Sequence, residues 1–188
     1  SYNQADNVVT LTPDVNNNTG VISLNTKIDG SSDFHLDAEI HMANNRNHPG
    51  ADGISFVFAP VNQGVLGYDG SSMGIGGLPD ALAFTLDYAP NPGYPSNYPT
   101  IRDRFHDKPD PTADPSFGSG RFGGLARTDG NGYITVDSST AKPIDILEYG
   151  KYYPYMVDFN QTSKQLTVQY QGKIWQYDMS SYLNDIQN

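Results

Sequence analysis

A carboxylate, a backbone carbonyl and a carboxamide fall at every second position of Asp87-Tyr88-Ala89-Pro90-Asn91. Calcium takes about six to eight oxygen ligands, and loops supply them through such groups at short spacing. Asp87 and Asn91 would give side-chain oxygens, Ala89 its carbonyl, and a carboxylate further along the chain would close the shell. The same Asp87 and Asn91 would serve equally well as caps of a tight turn. Asp37 and Glu39, two residues apart, are either a carboxylate pair of the kind that hydrolyses glycosidic bonds or part of a solvated strand face. Arg102, Arg104, Lys108 and Arg121 gather positive charge in one region. They would form a pocket for a sialylated or uronic-acid glycan, or act as ordinary solubilising residues.

The elements that position these groups are strands. Thirteen Tyr, eight Phe and 19 Gly with only 17% charged residues suit short strands and tight turns better than amphipathic helices. The expectation is an all-β chain forming one domain over residues 1–188. With no cysteine there is no disulfide and no thiol nucleophile or soft-metal ligand. A net charge of −10 argues against nucleic acid as a partner and leaves carboxylates for calcium. No run approaches the ~20 apolar residues of a membrane span, and no charged-then-apolar leader opens the sequence. The absence of cysteine and of a leader fits a module of a larger secreted or cell-wall-attached bacterial protein, and fits a cytosolic chain equally.

Residues 21–27 and 34–42 read as strands separated by the Asp29-Gly30-Ser31-Ser32 turn. In the second, Phe34, Leu36, Ala38, Ile40 and Met42 share one face while His35, Asp37, Glu39 and His41 share the other. Ile54-Ser55-Phe56-Val57-Phe58-Ala59 is nearly continuous in apolar residues, as expected of a buried central strand. A glycine-rich stretch, 64–77, leads into a strand at 81–87. Residues 90–115 carry too much proline for regular structure, and so long a loop is usually functional. Further strands are expected at 132–136, 153–159 and 166–170, the last joined to 173–177 by a Gln171-Gly172 turn, followed by a short helical turn at 180–186.

Ala51-Asp52-Gly53-Ile54-Ser55-Phe56-Val57-Phe58-Ala59-Pro60 resembles the L-type (legume-lectin-like) signature, in which an Ala-Asp peptide precedes a buried strand. Gly74-Ile75-Gly76-Gly77-Leu78-Pro79-Asp80-Ala81-Leu82-Ala83-Phe84-Thr85-Leu86-Asp87 is similar to the glycine loop and metal-binding strand of bacterial members, including the lectin modules of serine-rich-repeat adhesins. Ala113-Asp114-Pro115 followed by Phe122-Gly123-Gly124 resembles the next block. The match runs in order from about Val21 to Tyr182. It implies a concanavalin-like β-sandwich, or jelly roll, of antiparallel sheets. It also implies two strands after the Trp175 strand that residues 178–188 do not resemble.

Carried over position by position, the resemblance makes Asp87, the Ala89 carbonyl, Asn91 and Asp114 ligands of one Ca2+ ion. It makes Asp52 the acceptor of two sugar hydroxyls, Asn91 a ligand shared by ion and sugar, and Gly76 or Gly77 a backbone donor. It further implies a cis Ala51–Asp52 peptide, whose cost of about 3 kcal/mol persists only where the surroundings enforce it. Thr85 stands where members with a second, transition-metal site carry Glu, so calcium alone is expected. Ala89 replaces the usual aromatic that stacks on the sugar, leaving Tyr88, Tyr94 and Tyr98 as candidates.

The function implied is calcium-dependent carbohydrate binding for adhesion to host or microbial surface glycans, with no enzymatic activity. Two other readings stay in play. One is a β-sandwich glycoside hydrolase using Asp37 and Glu39, although the related glucanases carry a third acidic residue that Met42 and Ala43 do not supply. The other is a protein-interaction module that keeps calcium for rigidity.

Overall fold

The alternation at 34–40 is realised as a strand that turns Phe34, Leu36 and Ile40 into the core and leaves His35, Asp37 and Glu39 exposed. The computed structural model describes residues 1–13, 15, 18–25, 28, 30–42, 52–89 and 121–187. Its elements are β1 (Tyr2–Asn3), β2 (Val8–Val9), β3 (Phe34–Ile40), β4 (Gly53–Phe58), a 3-10 turn (Gly70–Ser72), β5 (Leu82–Asp87), β6 (Phe122–Thr128), β7 (Ile134–Pro143), β8 (Tyr153–Asn160), β9 (Gln165–Tyr170), β10 (Lys173–Asp178) and α1 (Ser180–Gln187). Two four-stranded antiparallel sheets, ordered β10-β9-β8-β3 and β4-β5-β6-β7, form a sandwich, and β1 pairs with β2 as a small ribbon.

Inward residues of the two sheets build one core. Tyr155, Val157 and Phe159 of β8 and Leu166, Val168 and Tyr170 of β9 face Leu82, Phe84 and Leu86 of β5. Trp175 crosses from β10 to meet Phe84 edge-on at 4.9 Å, and its indole N–H donates to the Gly123 carbonyl at 3.0 Å. Phe34 stacks on Phe56 and on Phe159, each at 5.9 Å, tying β3 to both sheets. Offset aromatic contacts of this kind add to area burial. The β9–β10 hairpin turns on Gln171 and Gly172, both with positive φ (48° and 69°), a conformation that matches the strand twist.

Three expectations are corrected. Residues 21–24 carry no strand. Val21, Ile22 and Leu24 are exposed, and the segment is held instead by Gly64 N–H donating to Ser23 Oγ and Gln63 Nε2 donating to the Leu24 carbonyl. Among the described residues, the apolar run at 53–58 is not the buried centre of its sheet: β4 pairs with β5 alone and lies at the edge, and all six of its residues are only half-buried. Its neighbour β5, hydrogen-bonded on both flanks, is buried throughout. The expected strand at 132–136 begins at Ile134 and runs on to Pro143.

After β10, Met179 and then Tyr182 and Leu183 of α1 pack into the core. The Tyr182 hydroxyl donates to the Phe58 carbonyl at 2.9 Å, with the Asp80 carbonyl at 3.1 Å. This anchors the far end of β4.

On the wet face, His35 Nδ1 lies 2.5 Å from Asp158 Oδ1, its cross-strand partner on β8. The hydrogen bond to Asp158 raises the His35 pKa; desolvation opposes it, and the charges of Asp158 and Asp37 add to the rise. A raised native pKa means this pair stabilises the fold fully below about pH 6.5, and the contribution is lost as pH rises through the native value. Titration of the imidazole by NMR should therefore give a value above 6.5 that falls in Asp158→Asn. Equal values in the two proteins would remove the pair from the account.

Candidate functional site

Antiparallel pairing brings the two carboxylates singled out in the sequence to one end of one sheet. The β4–β5 register sets Gly53 opposite Asp87, and the ladder continues one step further, with Tyr88 N–H donating to the Asp52 carbonyl at 2.8 Å. Gly53 is glycine for a steric reason: a Cβ there would stand 2.0 Å from the Leu86 carbonyl oxygen and 2.4 Å from the Met73 methyl. Asp52 at the start of β4 and Asp87 at the end of β5 are thus neighbours through the main chain.

Asp87 is 2% exposed, and its Oδ1 accepts the Ala89 N–H at 2.9 Å. This bond turns the chain sharply after β5 and sets Ala89 beside the carboxylate. Asn91, Asp114, Tyr94, Tyr98 and Ala51 lie outside the described residues. Among the described residues, no three His, Asp or Glu side chains are grouped closely enough to hold a metal ion.

Residues 68–77 fold against this end of the sheet. Ser55 Oγ donates to the Met73 carbonyl at 2.9 Å, and the turn is closed by Met73 N–H to the Gly70 carbonyl at 2.9 Å. The glycine beside the Asp52 carboxylate is Gly70, where a Cβ would stand 3.7 Å from Asp52 Oδ2. Burial raises the Asp52 pKa, and the negative charge of nearby Asp69 raises it further. Asp69 and Gly70 were not singled out in the sequence, although an Asp-Gly pair inside a glycine-rich stretch is a turn signal.

Two expected roles are revised. The N–H of Gly76 donates to the Ser72 carbonyl at 3.1 Å and that of Gly77 to the Gly132 carbonyl at 2.9 Å, so both donors are engaged within the fold. Gly77 is required by packing, since a Cβ would meet the Tyr68 ring at 2.5 Å. Tyr88 is 4% exposed, and its hydroxyl shares a 2.7 Å hydrogen bond with that of Tyr170. A ring so enclosed offers no face to a sugar. The acid pair read as a hydrolase candidate, Asp37 and Glu39, is exposed on β3 opposite Met156 and Pro154 of β8.

Comparison with known proteins agrees with this architecture. The family model described as "Legume lectin beta-barrel domain" matches residues 1–188. The chain is 33% identical over 97% of its length to "Serine-rich adhesin for platelets" of Staphylococcus aureus strain MSSA476, and to the same extent to that of strain USA300. It is 31% identical to the one from strain MRSA252. It spans 8% of the length of the first two relatives and 14% of the third.

Proposed function

The chain belongs to the L-type (legume lectin) domain family, and from that premise we propose that it is a calcium-dependent, carbohydrate-binding module of a larger secreted or wall-attached adhesin, and not an enzyme. The observation that carries the reading is the β4–β5 main-chain pairing, Gly53 opposite Asp87 and Tyr88 N–H on the Asp52 carbonyl, which sets Asp52 and Asp87 close together at one sheet end. A carboxylate held there accepts two vicinal sugar hydroxyls in charge-assisted bonds, and a saccharide presents such pairs as a rule.

Calcium suits the donors at hand. Asp87 is a buried carboxylate at a strand end with the Ala89 backbone turned in beside it, and the chain contains no thiol that would favour a softer ion. Asp87, the Ala89 carbonyl, Asn91 and Asp114 are the proposed ligands. The ion would supply a cross-link that fixes Asn91 relative to Asp52, and the recognition itself stays with hydroxyl-binding side chains. The adhesins that this chain resembles are named for platelets. Surface glycans, of host or microbial origin, are the corresponding proposed partners, with an acidic glycan favoured if Arg121 and the basic residues 102, 104 and 108 contribute.

A glycan array read with and without a chelator tests both halves of the proposal. Selective binding that disappears on chelation and returns with calcium is expected, together with a lower melting temperature in chelator, since an ion bound only by the folded state stabilises it. Release of reducing sugar from a polysaccharide, lost in Glu39→Gln or Asp37→Asn, would replace the lectin reading with the hydrolase. Binding or melting indifferent to chelation would remove calcium.

A further inference from the structure

Tyr88 occupies an unusual position. It directly follows Asp87, precedes Ala89, and donates its backbone N–H to Asp52. Its side chain leaves that sheet altogether and crosses the core to the end of β9, where the Tyr88 and Tyr170 hydroxyls meet at 2.7 Å. The far side is braced in turn. Gln171 Nε2 lies 3.4 Å from the Tyr88 hydroxyl and donates to the Asp145 carbonyl at 3.1 Å, while Asp145 N–H donates to Gln171 Oε1 at 2.7 Å. Tyr155 and Tyr153 pack against the Tyr170 ring, each at 6.2 Å. Burial and the bond to Tyr170 hold the Tyr88 hydroxyl firmly in its neutral form.

We propose that Tyr88 is a positioning residue, a strut whose hydroxyl, fixed to Tyr170 in the opposite sheet, sets the backbone that carries the candidate calcium ligands Asp87 and Ala89 and the candidate sugar ligand Asp52. The proposal rests on the calcium reading above and adds to it a dependence on the second sheet. A buried hydroxyl pair in surroundings of low polarity has few alternative partners, so it selects one position of the β5 end over its neighbours. The ligand oxygens on either side of Tyr88 inherit that position.

Calcium titration calorimetry on the parent, Tyr88→Phe, Tyr170→Phe, the double variant and Tyr182→Phe tests the strut. Phenylalanine keeps the ring in the core and deletes only the hydroxyl. Loss of one neutral hydrogen bond predicts calcium affinity weakened roughly threefold to tenfold in Tyr88→Phe and in Tyr170→Phe. The double variant should add nothing further, because both singles break the same bond. Tyr182 also donates a buried hydroxyl bond, but at the opposite end of β4. Its phenylalanine variant should melt earlier and bind calcium as the parent does. Parent-like calcium affinity in Tyr88→Phe, or equal weakening in Tyr182→Phe, would overturn the strut. A parent that binds no calcium would instead overturn the calcium reading, and the strut with it.

Discussion

Asp52→Ala is expected to abolish glycan binding while leaving the fold and calcium affinity in place. The carboxylate is proposed to accept two hydroxyls, and charge-assisted bonds of this kind contribute roughly 1.5–3 kcal/mol each. Their joint loss corresponds to an affinity drop of at least about a hundredfold, enough to extinguish the weak binding usual for a single sugar. The fold should tolerate the change because the structural contact of Asp52 is its backbone carbonyl, which accepts from Tyr88 N–H and survives the substitution. Binding should also fail on acidification at a higher pH than an ordinary carboxylate would give, since burial and Asp69 raise the Asp52 pKa and the protonated form accepts poorly. Glycan affinity measured across pH for parent and variant decides the point. A variant that binds as tightly as the parent would move the sugar site away from Asp52.

Trp175→Ala carries the largest expected cost in stability, about 3–5 kcal/mol, the range for deleting a large buried aromatic. The ring is 4% exposed, packs edge-on against Phe84, and lies close enough to Gly123 that a Cβ there would stand 2.8 Å from it. Alanine would open a cavity between the sheets and leave the Gly123 carbonyl without its indole donor. Against a total of about 5–15 kcal/mol for a typical domain, that loss removes at least about a fifth of the stability. Trp175 is the only tryptophan in the chain, so urea unfolding must be followed by circular dichroism in place of fluorescence. A loss below about 1 kcal/mol would mean that Trp175 is not the inter-sheet contact described.

Much of the sandwich was legible because strands write their burial every second residue. The 34–40 alternation and the Gln171-Gly172 turn are local patterns with local causes. The centre-versus-edge distinction between β4 and β5 was not legible: both are apolar runs, and only the partners flanking each strand separate them. At the site, the separate roles of Asp52 and Asp87 came from the resemblance, while the β4–β5 register that sets them side by side was not stated in the sequence. The inward turn of Tyr88 was in principle readable, since Leu82, Phe84 and Leu86 face the core and Tyr88 continues their parity by one step. The engagement of the Gly76 and Gly77 N–H groups was not readable, because it depends on where Ser72 and Gly132 arrive in space.

β3 and β4, each at an edge of its sheet among the described residues, differ in how they would behave toward a stray strand. β3 interleaves His35, Asp37 and Glu39 with its apolar residues, and charge along an edge discourages addition of another chain. β4 reads Gly-Ile-Ser-Phe-Val-Phe, with no charge and no proline, only half-buried, and hydrogen-bonded on one flank alone among the described residues. Short segments of that composition are the ones that template cross-β association when a chain is incompletely folded. Of these two edges, β4 is therefore the one along which self-association during refolding or overexpression would start, beside the carboxylate proposed to hold the sugar.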